Sequence, residues 1–308
     1  MPMRDESTDL PELSSEDRAI YAWQLDLPGF DETAQRRLKG ARVLVSRCGG
    51  LGGPVALALA AAGVGALRIA HKGTVLPADL NRQILQRREC IGQPRRPGIE
   101  ETLRGFNPDC RVEVVEAHAD EANADALVAG CDLVVDAAPL FEERFALNGA
   151  CVRAGIPLVE AAVHGWELSL AVLPCGQGPC LRCWVPEKPA WWTRRFPVLG
   201  AVSGTVGNLA AVQAVRLIAG LGSPLAGRLL RMDLATGTQR ILRLRRDPDC
   251  PACGGAVRSP AVPAQSPPPA RGRHDAPDGR VPVFTSHSGG PAAAGPTLFG
   301  SGPCAPSP

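Results

Sequence analysis

Short apolar runs and segments of helical composition alternate along most of the chain. The runs at 41–47 and 67–70 are rich in Val, Leu and Ile, which is typical of strands buried on both faces, and a glycine turn and a helix at 54–62 separate them. Further helices and strands are predicted at 99–106, 111–116, 121–128, 132–136, 141–154, 157–161, 166–173 and 200–220, with a hairpin at 229–234 and 238–244. This alternation predicts an α/β fold with a doubly wound, mostly parallel, Rossmann-like sheet.

Composition divides the chain into three parts. Hydrophobic residues make up 45% of the 308 residues, which is enough for a sizeable core. Residues 1–17 are polar and acidic, unlike a secretory signal, so we expect the folded domain to span 18–254 and to lie in the cytoplasm. Residues 255–308 contain 12 of the 30 prolines, and such a segment is expected to be a disordered tail.

Charge and hydropathy exclude two classes of partner. The formal net charge of +2 gives no electrostatic reason to expect binding to nucleic acid. No uninterrupted apolar run reaches the roughly 18 residues that a membrane span requires. We therefore expect neither a nucleic acid nor a membrane as partner.

Two cysteine pairs carry the sharpest chemical signal. Cys180 and Cys183 form one C-x-x-C motif, and Cys250 and Cys253 form a second one after 66 intervening residues. Four thiolates complete the tetrahedral shell of a structural zinc ion and leave no open position for catalysis. A pair of redox dithiols is the alternative. The cysteines beside predicted elements are expected to be small core residues: Cys48, Cys90, Cys110, Cys131 and Cys151.

A glycine-rich turn joins the first predicted strand to the helix that follows it. Gly49, Gly50 and Gly52 lie in this turn. Exposed backbone N–H groups and the helix dipole at such a position favour a phosphate group. Close packing of the helix on the strand is the alternative reason for glycine here.

Several short motifs occur in an order that is typical of one family. They are YAWQ at 21–24, GGLG at 49–52, AAGVG at 61–65, NRQ at 81–83, GQP at 92–94, NP at 107–108 and DLVVD at 132–136, followed by the two cysteine motifs. With them, the chain resembles the ThiF/MoeB/HesA adenylyltransferases, relatives of the ubiquitin-activating enzymes. The resemblance implies ATP–Mg binding, adenylation of the C-terminal glycine of a ubiquitin-like or sulfur-carrier protein, and a dimer.

The chain departs from the family pattern where the chemistry is expected. Arg47 stands in place of the first glycine of the phosphate turn. His71 and Gly73 replace the two acidic residues expected after the second strand, and Pro139 replaces the aspartate expected to hold magnesium. We expect Asp136 to cap the turn that follows it rather than to bind the metal.

The residues that remain to bind a nucleotide are Gly49, Gly50, Gly52, Arg82, Gln83 and Arg95, and no residue is assigned a catalytic role. We therefore expect a degenerate family member, a pseudoenzyme or partner subunit, that binds ATP weakly and lacks a magnesium site. Its expected partners are a small carrier protein ending in Gly-Gly and, in a homodimer or heterodimer, a second copy or an intact family member. The alternative is an active adenylyltransferase whose site is rebuilt around its arginines. A dinucleotide-binding protein is a third interpretation, which the missing acidic residue after the second strand disfavours.

The segment 191–196 contains two tryptophans, two arginines and a phenylalanine. This composition is typical of the centre of a protein–protein interface. The alternative is that both indoles cover the sheet.

Overall fold

The computed structural model describes residues 10–254, so the predicted tail at 255–308 lies outside the described residues. The strands are β1 (Arg42–Val45), β2 (Ala66–Ala70), β3 (Arg111–Val115), β4 (Leu133–Asp136), β5 (Leu158–His164), β6 (Glu167–Leu173), β7 (Arg228–Asp233) and β8 (Thr238–Arg243). They form one sheet in the order β3-β2-β1-β4-β5-β6-β7-β8. The first five strands in this order are parallel, and β6, β7 and β8 extend the sheet with antiparallel pairings.

Helices cover both faces of the sheet, as a doubly wound fold requires. They are α1 (Ser15–Ile20), α2 (Ala22–Leu25), α3 (Glu32–Gly40), α4 (Gly52–Ala61), α5 (Arg95–Phe106), α6 (Ala124–Val128), α7 (Phe141–Ala154) and α8 (Gly200–Ile218). The core on one face includes side chains of α3, α4, α5 and α8, and the core on the other includes those of α6 and α7. The predicted fold class is therefore confirmed.

Strand β1 illustrates why the apolar runs become central strands. Val43 and Val45 belong to the core on one face, and Leu44, which points the opposite way, belongs to the core on the other. All three are fully buried. A strand with helices on both faces needs apolar side chains at every position, and that need produces the continuous run seen in the sequence.

The segment before β1 is more ordered than its pattern indicates. Helix α1 begins inside the predicted polar N-terminal segment, and the Ser14 side chain caps it by accepting a hydrogen bond from the Asp17 backbone N–H. Asp17 is buried and forms an ion pair of 2.5 Å with Lys39 of α3. The hydropathy pattern predicts no element in this region because helices of four to nine residues are too short for a clear periodicity.

Helix α8 is the one helix within 10–254 whose length and mean hydropathy of 1.2 match those of a membrane span. Half of that span is buried inside the fold, where α8 packs against α4, β5 and β6. Central helices of soluble folds have the same composition, so these properties give only weak evidence for a membrane segment.

Candidate functional site

A cleft with a volume of about 390 Å³ opens at the C-terminal ends of the parallel strands. Arg47 follows β1, His71 follows β2, His118 follows β3 and Pro139 follows β4, and all of them line it. The strand order reverses between β1 and β4, and ligands of doubly wound sheets bind at such a switch point. The position of the cleft therefore makes it the candidate functional site.

The glycines of the predicted phosphate turn have separate roles in the structure. Gly49 and Gly50 line the cleft, whereas Gly52 is buried in the first turn of α4. A Cβ at Gly52 would lie 1.6 Å from the carbonyl oxygen of Arg47, so Gly52 permits close packing. A Cβ at Gly50 would lie 2.8 Å from Cγ of Arg82, which brings this arginine against the turn.

Arg82 lies at the edge of the cleft beside the glycine turn. Its Nη1 donates to the carbonyl oxygen of Ala78 at 2.6 Å and to Oδ1 of Asn81 at 2.8 Å. Its side chain remains one quarter exposed, and the nearest carboxylate oxygen, of Asp79, is 3.6 Å away. The guanidinium is thus positioned by neutral acceptors and keeps most of its charge available to the cleft.

Asp79, which no sequence motif indicated, fixes the side chains of both Gln83 and Arg95. Its Oδ2 accepts from Arg95 Nη2 at 2.6 Å, and its Oδ1 accepts from Gln83 Nε2 at 2.7 Å. Arg95 Nη1 also donates to Gln83 Oε1 at 2.6 Å, which closes a buried triangle of three side chains. Both oxygens of Asp79 are therefore occupied, and the charge of Arg95 is compensated. The only sequence signal for Asp79 is its position two residues before the NRQ motif.

Arg47 is held by a second carboxylate, that of Glu143, which no sequence motif indicated. Its Nε and Nη2 donate to the two carboxylate oxygens of Glu143 at 2.8 and 2.5 Å. The Arg47 side chain is 9% exposed and that of Glu143 is 5% exposed, so this is a buried bidentate ion pair. Arg144 and Glu160 form a neighbouring buried pair at 3.1 Å.

Asp136 is fully buried and is not part of the cleft lining. Its Oδ1 accepts from the backbone N–H of Ala138 at 2.8 Å and from Ser46 Oγ at 3.0 Å, so the predicted capping of the next turn is confirmed. Burial raises the pKa of the Asp136 carboxyl, and this change opposes the ionised form that a metal ligand needs.

Trp192 packs over the turn that contains Pro139. Its Nε1 donates to the carbonyl oxygen of Pro139 at 3.0 Å, and its ring lies edge-on to Phe141 at 5.3 Å and 5.1 Å from Phe196. Trp191 instead remains 66% exposed. Trp192 therefore covers the fold, whereas Trp191 faces solvent, and the predicted protein–protein interface stays a prediction.

Two imidazoles occupy the region where acidic residues were expected. His71 Nδ1 accepts from the backbone N–H of Cys48 at 3.2 Å, and its ring centre lies 6.0 Å from that of His118. Burial, reinforced by Arg95 and Arg47, lowers the pKa of His71 to about 3. Burial also lowers the pKa of His118 to about 4, with Arg47 and Lys72 contributing. Both rings are therefore neutral at pH 7.

The cleft is strongly basic. Its basic lining residues are Arg47, Lys72, Arg82, Arg95, Arg144, Arg194 and Arg195, and Asp79 is its single acidic one within 10–254. Three of the cations, Lys72, Arg194 and Arg195, have no ion-pair partner in the part of the chain that the structure describes. The cleft is therefore suited to an anionic ligand.

The two cysteine motifs meet on the face of the sheet that α6 and α7 cover. Cys180 Sγ lies 3.6 Å from Cys250 Sγ, Cys183 Sγ lies 3.5 Å from Cys253 Sγ, and all four sulfurs are within 4.8 Å of one another. A zinc ion bound tetrahedrally at about 2.3 Å from each sulfur would set the sulfurs about 3.8 Å apart. The four cysteines therefore fit such an ion.

Comparison with known proteins agrees with this architecture. The profile of the ThiF family matches residues 21–252. The chain is 48% identical to Protein HesA of Leptolyngbya boryana over 234 residues, and this match covers 76% of this chain and 84% of that protein. It is 37% identical over 243 residues to the sulfur carrier protein adenylyltransferase of Thermus thermophilus, covering 76% of this chain and 90% of that protein. The crystal structure of E. coli MccB shares the fold, with a TM-score of 0.70 and 20% identity over 81% of this chain and 76% of that one. With well over half of its length matched by the family profile, the chain belongs to the ThiF family.

Proposed function

We propose that this chain is a degenerate member of the ThiF family that binds a nucleotide in its cleft without catalysing magnesium-dependent adenylation. It then acts as a binding or partner subunit for a small ubiquitin-like or sulfur-carrier protein. The observation that carries this proposal is the lack of a free carboxylate in the cleft lining within residues 10–254.

The ligand set of the cleft does not fit magnesium. Mg²⁺ is usually held by one or two protein carboxylates together with substrate phosphates. Asp79, the acidic lining residue, already accepts hydrogen bonds at both oxygens from Arg95 and Gln83. Pro139 offers only its carbonyl oxygen, which accepts from Trp192. Magnesium therefore finds no free carboxylate in the cleft lining within residues 10–254.

The loss of the metal weakens adenylation because the reaction brings two anions together. A carboxylate must attack the α-phosphate, and cations have to neutralise the charge that develops. Removal of one preorganised charge-stabilising group typically costs ~3–4 kcal/mol, or ~10²–10³ in rate. Arg47 and Arg95 do not replace the metal, because Glu143 and Asp79 compensate their charges.

Nucleotide binding itself is supported by groups that stay available. Gly49 and Gly50 leave the backbone beside the cleft accessible, and Arg82 lies against the turn. Arg194 and Arg195 add cationic charge at the lining. These groups attract phosphate oxygens without a metal, so we expect weak ATP binding that is largely independent of magnesium.

The proposed protein partner follows from the relatives. The Thermus thermophilus relative is named a sulfur carrier protein adenylyltransferase, and a relative from Haloferax volcanii, 41% identical over 244 residues, is named a SAMP-activating enzyme E1. We propose a carrier of this class, ending in Gly-Gly, as the protein partner. The exposed Trp191, beside the cleft-lining Trp192, offers an aromatic contact for it.

The four cysteines are proposed to hold one structural zinc ion. Their sulfur separations fit a tetrahedral site, and four thiolates leave no open coordination position. The ion would join the segment after β6 to the segment after β8 and would contribute its binding free energy to folding.

The decisive experiment is ATP–pyrophosphate exchange with Mg²⁺ and a carrier protein that ends in Gly-Gly, beside calorimetric titration of ATP with and without Mg²⁺. We expect binding of ATP in both buffers and exchange at the background rate. Arg82→Ala should weaken ATP binding, and Arg240→Ala, at an exposed position on β8, should not. Pro139→Asp alone should not restore exchange.

An active adenylyltransferase is the second candidate, favoured by the 37% identity to the Thermus thermophilus enzyme. Robust exchange by the unmodified protein would establish this second candidate and overturn the pseudoenzyme proposal.

A further inference from the structure

The end of the cleft next to β2 and β3 has an unusual set of side chains for a nucleotide-binding fold. We call the group formed by His71, Lys72 and His118 the ribose edge, because the ribose of a nucleotide lies at the end of the second strand in doubly wound folds. An acidic residue there accepts hydrogen bonds from the 2′-hydroxyl, whereas a basic residue accommodates a phosphate on that position.

No carboxylate among residues 10–254 competes for an anion at the ribose edge. Asp79, the acidic lining residue within 10–254, belongs to the triangle with Gln83 and Arg95. Gly73, two residues after His71, has a φ of +105°, a conformation that strains any residue with a side chain. The backbone therefore disfavours an acidic side chain at that position.

The edge instead presents hydrogen-bond donors and positive charge. His71 Nδ1 accepts from the Cys48 N–H, so the hydrogen of the neutral ring is on Nε2, where it is available as a donor. Lys72 is exposed and has no ion-pair partner among the described residues. Nδ1 of His118 is buried and has no hydrogen-bond partner among them.

Neighbouring charge prepares this edge for a dianion. Arg47, Arg95, Lys72 and Arg194 all act to lower the pKa of His118. Of these cations, Lys72 and Arg194 have no ion-pair partner within residues 10–254 and attract a phosphate. A bound dianion would offset their effect on His118 and favour proton uptake by its imidazole. An uncharged ribose hydroxyl gains less from this arrangement, because it can accept a hydrogen bond but does not offset the positive charge.

We propose that the cleft selects a nucleotide that carries a phosphate ester on its ribose, on the 2′ or 3′ oxygen, in addition to its 5′-phosphate. Lys72 contacts the ribose phosphate directly, and Nε2–H of His71 donates to it. The 5′-phosphate lies toward Gly49, Gly50 and Arg82. This inference rests on the nucleotide binding proposed above and adds the class of nucleotide.

The test compares four probes by calorimetry in buffer without Mg²⁺: 2′,5′-ADP, 3′,5′-ADP, 5′-ADP and ATP. ATP is the matched control for charge, because it carries about as much negative charge as the bisphosphates but has an unmodified ribose. We expect 2′,5′-ADP or 3′,5′-ADP to bind about tenfold more tightly than ATP, which is close to the smallest effect of one charge-assisted hydrogen bond. The better of the two identifies the position of the phosphate.

Two charge-reversal variants locate the effect. Lys72→Glu should abolish the preference for the ribose phosphate and change 5′-ADP binding by less than about threefold, since 5′-ADP does not reach this edge. Arg240→Glu changes the net charge equally at an exposed position on β8 and should keep the preference. If both variants lose the preference for the ribose phosphate equally, only the net charge matters and the inference is overturned.

The outcomes separate this inference from the proposed function. Equal or tighter binding of ATP overturns the ribose-phosphate preference and leaves the metal-free nucleotide site intact. Failure of all four probes to bind overturns both. A clear preference for a ribose phosphate in a protein that nevertheless performs pyrophosphate exchange supports the inference and overturns the pseudoenzyme proposal.

Discussion

The buried ion pair between Arg47 and Glu143 makes a quantitative test of the architecture possible. Glu143→Gln keeps the size of the side chain but removes its charge. Arg47, whose side chain is 9% exposed, then faces an amide, and its guanidinium loses a bidentate carboxylate whose oxygens lie 2.8 and 2.5 Å from its nitrogens. A buried charge without its partner is not compensated by water, so the native state should lose stability.

The expected magnitude follows from the depth of the pair. Removal of one partner of a buried ion pair typically costs about 3–5 kcal/mol, which is a large part of the ~5–15 kcal/mol that stabilises a typical domain. The adjacent residue on α7 provides the control. Glu142 pairs with Lys188 at 2.7 Å, but their side chains are 62% and 49% exposed. Glu142→Gln should therefore cost about 1 kcal/mol or less.

Urea unfolding followed by tryptophan fluorescence measures both losses under the same conditions. The double variant with Arg47→Met and Glu143→Leu should recover most of the stability lost in Glu143→Gln, because it removes both charges and leaves apolar side chains. If Glu143→Gln loses no more free energy of unfolding than Glu142→Gln does, the buried pair is not formed as described. Glu143 would then not compensate the charge of Arg47.

Three further variants test other parts of the molecule. Cys253→Ser should lower the zinc content, measured by mass spectrometry, together with the melting temperature, and a stable metal-free wild type would contradict this. Gly52→Ala should cost about 1–3 kcal/mol or more, because its Cβ would meet the Arg47 carbonyl oxygen at 1.6 Å, whereas Gly49→Ala, with nothing within 4 Å, should be nearly neutral in urea unfolding. The pKa of His71 is about 3 in the folded state and 6.5 ordinarily, so the unfolded chain takes up a proton at this imidazole before the folded protein does. The stability that the neutral His71 ring contributes is therefore complete above pH 6.5 and is lost as the pH falls toward 3. Between pH 6.5 and 4.5 the wild type should therefore lose about 2–3 kcal/mol more than His71→Asn, and parallel pH profiles would contradict the lowered pKa.

Much of the fold could be predicted from the sequence because local patterns carry the information. Strands β1 and β4 are apolar at nearly every position, since helices cover both faces, and the hairpin of β7 and β8 follows from two runs around a short turn. The paired cysteine spacing indicated that four thiolates meet, and the structure brings them within 4.8 Å. The short helices α1 to α3 escaped prediction because their packing against distant segments, rather than their periodicity, stabilises them.

Part of the candidate site could likewise be predicted from the sequence, and part could not. The absence of a carboxylate at Pro139 is a property of one residue, so the sequence determined it alone. Only the tertiary structure decided which charges are free: Glu143 lies 96 residues from Arg47 in the chain and compensates its charge. Asp79 similarly compensates Arg95, whereas Lys72 at the ribose edge has no such partner among residues 10–254. The sequence determines which side chains are present, but the charge that a ligand encounters depends on distances between residues that only folding brings together.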